Sequence, residues 1–565
     1  MPGLRPPVPI GKGPRHIHDC GRRKTGLSSQ QTKWIEEGRT ALGIEAGSTR
    51  IKAVLIGPDH KVLAAGSSRW ENRYENGIWT YDLAQVWEGI KECYASLKRE
   101  VSEQYGVRLV RVGRIGISAM MHGYLAFDRQ GKQLAPFKTW RNGVPSRISR
   151  ELTEKLGFHI PERWSCAHLY LAALNGEAHV KEIAYMTTLS GYIHWKLTGR
   201  RCLGACDASG MFPVEGKERC WRREMAERFQ ELLKPFGVSW TLEDIFPEIL
   251  LAGDEAGGLT WEGARLLDPE GDLQGGIPCC PPEGDGGTGM TATNSASARK
   301  GNISVGTSIF ATLALEKEIR GCYSQIDQLA TPAGRPAAMI HCYNGTSELN
   351  RWMKLFGEIS ETLGVPVSED ALYEALFRKA MEGESEGGGL IPCGYHSGEH
   401  LTGFEEGRPL LASWPDSSFS LANFMRAQIN SLFATLRMGM DFLKEKEGIT
   451  VDEIQGHGGF FRTKGVGQRL MAAALHTPVT VLETAGEGGA WGAALLAAYG
   501  AWKEEGEELE EYLEQKVFAG GGLLCREKPD PEEAAGYEKF MEYYRRLLKV
   551  ERAAVEELGD RHAGD

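Results

Sequence analysis

The sequence has no apolar run of the roughly 18 residues that a membrane span requires. Its longest, Ala490 to Tyr499, is interrupted by Gly492 and reads as a buried helix. None of its twelve cysteines stands in a CxxC pair, and the closest neighbours are Cys202 with Cys206 and Cys279 with Cys280. Zinc and dithiol-redox motifs are therefore not expected, and free thiols in a reducing cytoplasm are. The GxxxxGK[ST] signature is missing, which removes the P-loop nucleotide fold. Positive charge is in deficit: 65 basic residues face 76 acidic ones, a net charge of −11. That balance excludes a general affinity for nucleic acid or an anionic membrane. The opening stretch, MPGLRPPVPIGKGPRHIHDCGRRK, has no apolar core, so a loose tail is expected there and not a secretory signal. Proline is modest at 25 of 565 residues, whereas glycine reaches 71, far above its usual share of roughly 7%. With so little proline, the glycine excess points to tight turns and close backbone approaches.

From Thr40 the texture becomes that of an α/β protein. ALGIEAGSTRIKAVLIG reads as strand, Gly-Ser-Thr turn and strand, with a further β-rich piece in HKVLAAGSSRW. Apolar residues at three- and four-residue steps predict helices over Leu83 to Tyr105, Val144 to Leu156 and Asn175 to Leu197. VGRIGISAMMHGYLAFD supplies a buried strand, a turn and a second strand between the first two of these helices. A second strand–turn–strand, GNISVGTSIFATLAL, repeats the plan of the first, which suggests a duplicated unit in two halves. Helical patterns then recur over Ser368 to Met381, Leu421 to Glu447 and Gly465 to Leu475. VDEIQGHGGFF reads as a strand with a Gly-rich turn that opens a helix. The acidic stretch Lys503 to Lys516 is expected to be a helix with a solvated face, Tyr512 and Leu513 pointing inward. A final helix from Pro531 sets Tyr537, Phe540, Met541, Tyr544 and Leu548 on one packing stripe. The expected division is a tail over 1–39, a first domain over 40–298, a second over 299–552 and a short tail over 553–565.

Three Gly-rich turns follow strands, at Gly47, Gly306 and Gly456 to Gly459. Glycine lets backbone N–H groups crowd round an anion, and neighbouring hydroxyls add donors, so together they suggest a triphosphate held between two lobes. In CCPPEGDGGTGMTATN, Asp285 stands between glycines, on what reads as a bare loop. An uncrowded carboxylate there suits proton abstraction from a substrate hydroxyl, although taken alone it also reads as a turn residue capping the next helix.

Several of these segments, in this order, resemble the FGGY family of carbohydrate kinases, two-lobed proteins of the actin-like (ribonuclease H-like) ATPase fold with a central cleft. GIEAGSTRIKAVLIG resembles the family's first phosphate hairpin and GNISVGTS its second. GHGGFF resembles the adenosine loop, EGDGGTGM the segment with the catalytic Asp, and AWGAALLAA the closing helix. DASGMF, NGIWTYDLAQVW and YHSGE are also family-like. The resemblance spans about Ala41 to Leu548 and implies a sugar kinase using ATP and Mg²⁺, with Asp285 as general base and Glu45 as metal residue. It nominates Gly47, Ser48, Thr49, Lys52, Gly306, Thr307, Ser308, Gly458, Gly459 and Lys464 for ATP. SAMMHG and TWRN resemble the sugar motifs of the xylulokinases within the family, nominating Met121, His122, Trp140, Asn142 and Gly286 beside Asp285. By itself His122 reads as a satisfied core histidine.

The sequence departs from the family pattern at Glu45 (usually Asp), Gly286 (usually Gln), Met120 (Gln in the xylulokinases), Asn142 (generally Asp) and Lys464 (commonly Ser). A ketopentose such as xylulose is the expected substrate, with another ketose or a polyol as the alternative. A nucleotide-switched binding protein of the actin or Hsp70 kind, or a sugar-binding regulator without activity, are the rivals from other classes. A homodimer is one allowed assembly.

Overall fold

The computed structural model describes residues 24–482, 488–520 and 523–559. Two sheets carry the architecture. The first has five strands in the order Glu283–Gly284, Arg114–Ala119, Ala41–Ala46, Arg50–Ile56, Val62–Arg69. The second has seven, in the order Asp327–Ala330, Pro336–Cys342, Ile309–Ala314, Lys300–Val305, Glu453–His457, Val479–Leu482, Leu523–Glu527. Each is built on the same plan. An antiparallel meander (41–46, 50–56, 62–69 in one; 300–305, 309–314, 336–342 in the other) is extended from its first strand by parallel partners. The repeated strand–turn–strand of the sequence is thus a repeated sheet topology.

Helix Leu83–Tyr105 starts on Asp82, whose carboxylate accepts from Ala84 N, and ends on Gly106 in the left-handed conformation. It lies against the first sheet so closely that a Cβ on Gly66 would stand 2.1 Å from the Cys93 carbonyl. The apolar helix Gly488–Trp502, late in the chain, crosses back onto the first sheet. Added methyls on Gly43 and Gly116 would meet the Ala490 and Ala493 carbonyls at 2.0 and 2.1 Å, and one on Gly492 would meet the Thr288 carbonyl at 2.0 Å. Its small residues on every side let sheet, helix and helix Asp285–Ala292 pack at backbone distance, and it is buried all round. Chain order and lobe membership therefore part company after Gly488.

Several expectations are corrected. Asn175 to Leu197 is not one helix: Asn175 ends helix Ser165–Leu174, and Tyr185–Thr187 forms a strand against Leu125–Phe127. A new helix, Leu189–Thr198, then starts under the cap of Thr188. Lys503 to Lys516 is interrupted at Gly506, which takes φ +81; only Leu509–Tyr512 is α-helical, and a π-turn follows over Leu513–Val517. Tyr512 and Leu513 do point inward. The 1–39 segment is not wholly a tail, because Lys24–Glu36 is a helix with Ile35 buried and Trp34 against Gly57. Likewise helix Pro531–Leu558 runs past residue 552, with Glu551 buried under the Arg408 amide. Residues 1–23 and 560–565 lie outside the described residues. Among the described residues no helix is long and apolar enough to cross a membrane.

Candidate active site

A cavity of about 430 Å³ opens between the sheets. Glu45, Ser48, His122 and Asp285 stand on one side, and Ser304, Phe310, His341 and His457 on the other. Asp285 is not on a bare loop: it is the first residue of helix Asp285–Ala292, directly after the strand Glu283–Gly284. The Met121 amide donates to its Oδ1 at 3.2 Å. The side chain is open to the cleft, yet the surrounding walls desolvate it and push its pKa above the ordinary carboxylate value against these amide bonds.

Glu45 is the next-to-last residue of the strand Ala41–Ala46 and pairs across the hairpin with Lys52. Its Oε2 accepts from Ala490 N at 3.2 Å, so the longer arm reaches the N-terminus of helix Gly488–Trp502. Burial first, then the Asp285 charge, lift its pKa to about 6, opposed by Lys52 and the Ala490 amide.

Both hairpin bends are locally braced. Gly47 N donates to the Arg50 carbonyl at 3.0 Å, and Trp70 Nε1 to the Gly47 carbonyl at 2.7 Å. The Tyr81 hydroxyl donates to the Ser48 carbonyl, and Trp70 and Tyr81 stack with centroids 4.0 Å apart. Thr49 is exposed at the same bend. In the second hairpin Gly306 N donates to Ser308 O at 3.0 Å, while Gly345 and Thr346 amides hold the Thr307 and Gly306 carbonyls. Its strands face the cavity through Asn302, Ser304 and Phe310, and Gly306 and Thr307 are open to solvent. Gly458 takes φ +104 beside Val305, and Gly459 has no neighbour within 4 Å of an added Cβ, so a flat group could lie there. Lys464 is exposed beside Cys525 of the outer strand and does not line the cavity.

At the other end, His122 has φ +66 and its Nδ1 lies 2.9 Å from the Gly210 carbonyl, which makes Nδ1 the donor and leaves Nε2 as an acceptor. Burial lowers its pKa to about 3, so the ring is neutral. Trp140 Nε1 donates to Ser48 Oγ at 3.1 Å, setting the indole along the cavity wall. Met121 explains Gly286: an added Cβ there would stand 2.9 Å from Met121 Sδ. Asn142 is a correction. Its amide is spent on Trp79, accepting from Trp79 N at 2.8 Å and donating to Trp79 O at 2.7 Å, and it does not line the cavity. Met120 is buried in the first core.

Sequence reasoning missed Arg163 and His341, which line the cavity from segments that carry no motif, and Phe310, which lies in the second strand–turn–strand but was not singled out there. It noticed DASGMF but not its role. Asp207 is fully buried, accepts from Thr188 and Ser190 hydroxyls, and keeps Oδ1 without a partner among the described residues. Burial raises its pKa to about 7, and that of neighbouring Glu283 to about 8.

Two lobes of matching topology, with hydroxyl-bearing hairpins turned to a shared cleft and a carboxylate at a helix start within it, define an actin-like phosphotransferase. Family models support this reading. Residues 40–268 match the N-terminal domain, and residues 301–501 the C-terminal domain, of the FGGY family of carbohydrate kinases. The chain belongs to the FGGY family of carbohydrate kinases, and is a sugar kinase. It is 22% identical over 523 residues to a xylulose kinase of Haemophilus influenzae, covering 89% of this chain and 98% of that one. To a xylulose kinase of Bacillus subtilis it is 21% identical, covering 90% and 96%. A xylulose kinase structure from Rhodospirillum rubrum superposes with a TM-score of 0.73 at 19% identity, over 91% of this chain and 99% of that one. A gluconate kinase structure from Lactobacillus acidophilus gives 0.75 at 16% identity, over 92% and 99%. These superpositions establish the fold and do not separate substrates.

Proposed function

We propose that this protein transfers the γ-phosphoryl group of ATP to a hydroxyl of a ketopentose, with Asp285 as general base. The observation that carries the reading is the position of Asp285: it opens into the cavity shared by the Ser48 bend and the second hairpin, with no cation paired to it among the described residues. A desolvated carboxylate held by the Met121 amide is a stronger base than one in water. It would take the proton of the sugar hydroxyl as that oxygen attacks the γ-phosphorus in line. The His122 Nε2 would accept from a second hydroxyl, and the Trp140 indole would cover a C–H face. The exposed bends Gly47–Thr49 and Gly306–Ser308, with Lys52, would hold phosphates, and the open surface at Gly459 would take the adenine side. The Asp285 charge raises the pKa of Glu45, and two carboxylates lining one cavity call for a countercharge, which fits a divalent cation. Among the described residues no group of three or more His, Cys, Asp or Glu could cage a metal. Magnesium that keeps water and phosphate ligands suits such a site, with Glu45 as the protein residue holding it and neutralising phosphate charge as its contribution.

The xylulose kinase relatives favour a pentulose. A coupled assay of ADP release across ketopentoses, other ketoses, aldoses and polyols tests this directly. Sugar-stimulated release led by a ketopentose is expected; release independent of sugar, or none, would remove the reading.

A further inference from the structure

Arg163 lies in the turn closed by the Trp164 amide on the Pro161 carbonyl, and its side chain reaches the inner end of the cavity beside His122 and His341. Its Nη2 donates to Oδ2 of Asp327, and His159 Nε2 stands 3.5 Å from the other oxygen. Asp327 belongs to the second sheet, as the first residue of its edge strand Asp327–Ala330. That edge is built into the first lobe: Ala330 N donates to Ser209 Oγ at 3.0 Å, and Leu329, Ala337 and Met339 join the first-lobe core. Asp327 is therefore held in place, and Arg163 keeps Nε and Nη1 without a hydrogen bond among the described residues.

The charges at this end cancel. Burial alone would raise the Asp327 carboxyl, but the Arg163 guanidinium bonded to it holds it well below the ordinary range, so it is an anion compensated by that cation. Burial, then Arg163, keeps His341 neutral, stacked on Phe310 with centroids 4.1 Å apart. What excess charge the cavity holds is negative, from Asp285 and Glu45, even with Lys52 beside the latter.

We infer that Arg163 and Asp327 form a charge-neutral reading pair, Arg163 donating to a carbonyl or hydroxyl oxygen of the sugar while Asp327 bars a carboxylate, so that the site takes an uncharged ketose and rejects a sugar acid. This rests on the sugar-kinase reading above and adds a determinant of selectivity to it. An uncharged oxygen can accept from a guanidinium whose charge is already compensated. A sugar carboxylate would lose its hydration for no net positive partner and would face the Asp285 charge.

The experiment compares kcat/KM for a ketopentose and for gluconate in the parent, D327N and R163K, with thermal midpoints measured alongside. The parent should prefer the ketopentose. D327N exposes an uncompensated guanidinium, so the gluconate-to-ketopentose ratio should rise about 10-fold or more. R163K keeps the charge but loses the planar fork, so ketopentose kcat/KM should fall about 10-fold, mostly in KM, with the ratio unchanged. An unaltered ratio in folded D327N overturns the inference, since a purely structural role would lower both substrates together. Should D327N fail to fold, folded R163K with parental ketopentose KM overturns it instead. A parent that phosphorylates no sugar at all would overturn the ketopentose-kinase reading and this inference with it, whereas an active parent with an unaltered ratio in D327N overturns this inference alone.

Discussion

Replacing Asp285 by Asn isolates the chemical step. The Met121 amide donates to Oδ1 at 3.2 Å, and an Asn Oδ1 can accept the same bond, so the helix start and the cleft wall are expected to keep their shape. What disappears is basicity alone. General-base assistance is worth about 10²–10⁴-fold, or ~3–5 kcal/mol of barrier, and kcat should fall by that factor. Nucleotide affinity, which depends on the hairpins, should stay within about 2-fold. The pH dependence supplies an independent sign. Because burial raises the Asp285 pKa, parental activity should be lost as pH falls through a value above the ordinary 3.8. The Asn variant should lack that acid limb. Single-turnover transfer with labelled ATP, nucleotide calorimetry and a pH profile of kcat/KM read the three quantities separately. Turnover in the variant within a factor of three of the parent would refute the role of Asp285, however well the other residues performed.

Other consequences are as direct. Glu45→Gln should raise the magnesium concentration needed for half-maximal activity by about 10-fold, and a superimposable titration would count against its ligand role. Gly116→Ala places a methyl 2.1 Å from the Ala493 carbonyl, so the midpoint of urea unfolding should drop by the equivalent of about 1–3 kcal/mol or more at unchanged slope. An unshifted midpoint would show that helix Gly488–Trp502 is not tightly seated on the first sheet. His194 is buried, donates from Nε2 to the Ala256 carbonyl, and has its pKa lowered from 6.5 to about 4. The unfolded chain takes this proton first on acidification, so the residue contributes stability above pH 6.5 that is lost between there and about pH 4. His194→Gln should therefore flatten the stability profile across that window by up to ~3 kcal/mol, and parallel profiles for the two proteins would contradict it.

What could be read from the residues in order was what neighbours in the chain decide. Apolar spacing marked Leu83–Tyr105 and Leu421–Glu447 to the residue, because a helix face repeats within a few positions. The two Gly-hydroxyl bends announced themselves because strand, turn and strand are contiguous. Where short-range signals compete, order along the chain was a poor guide: Asn175 to Leu197 kept its helical spacing yet broke, because Tyr185–Thr187 found a partner strand some sixty residues earlier. Only the tertiary structure turned Asn142 away from the cavity to hold Trp79, laid a helix from the end of the chain on the first sheet, and brought Arg163 to Asp327. Those contacts join residues more than sixty positions apart, and no local pattern encodes them. They follow from how two sheets and their helices close on each other, which depends on the packing of the whole chain at once.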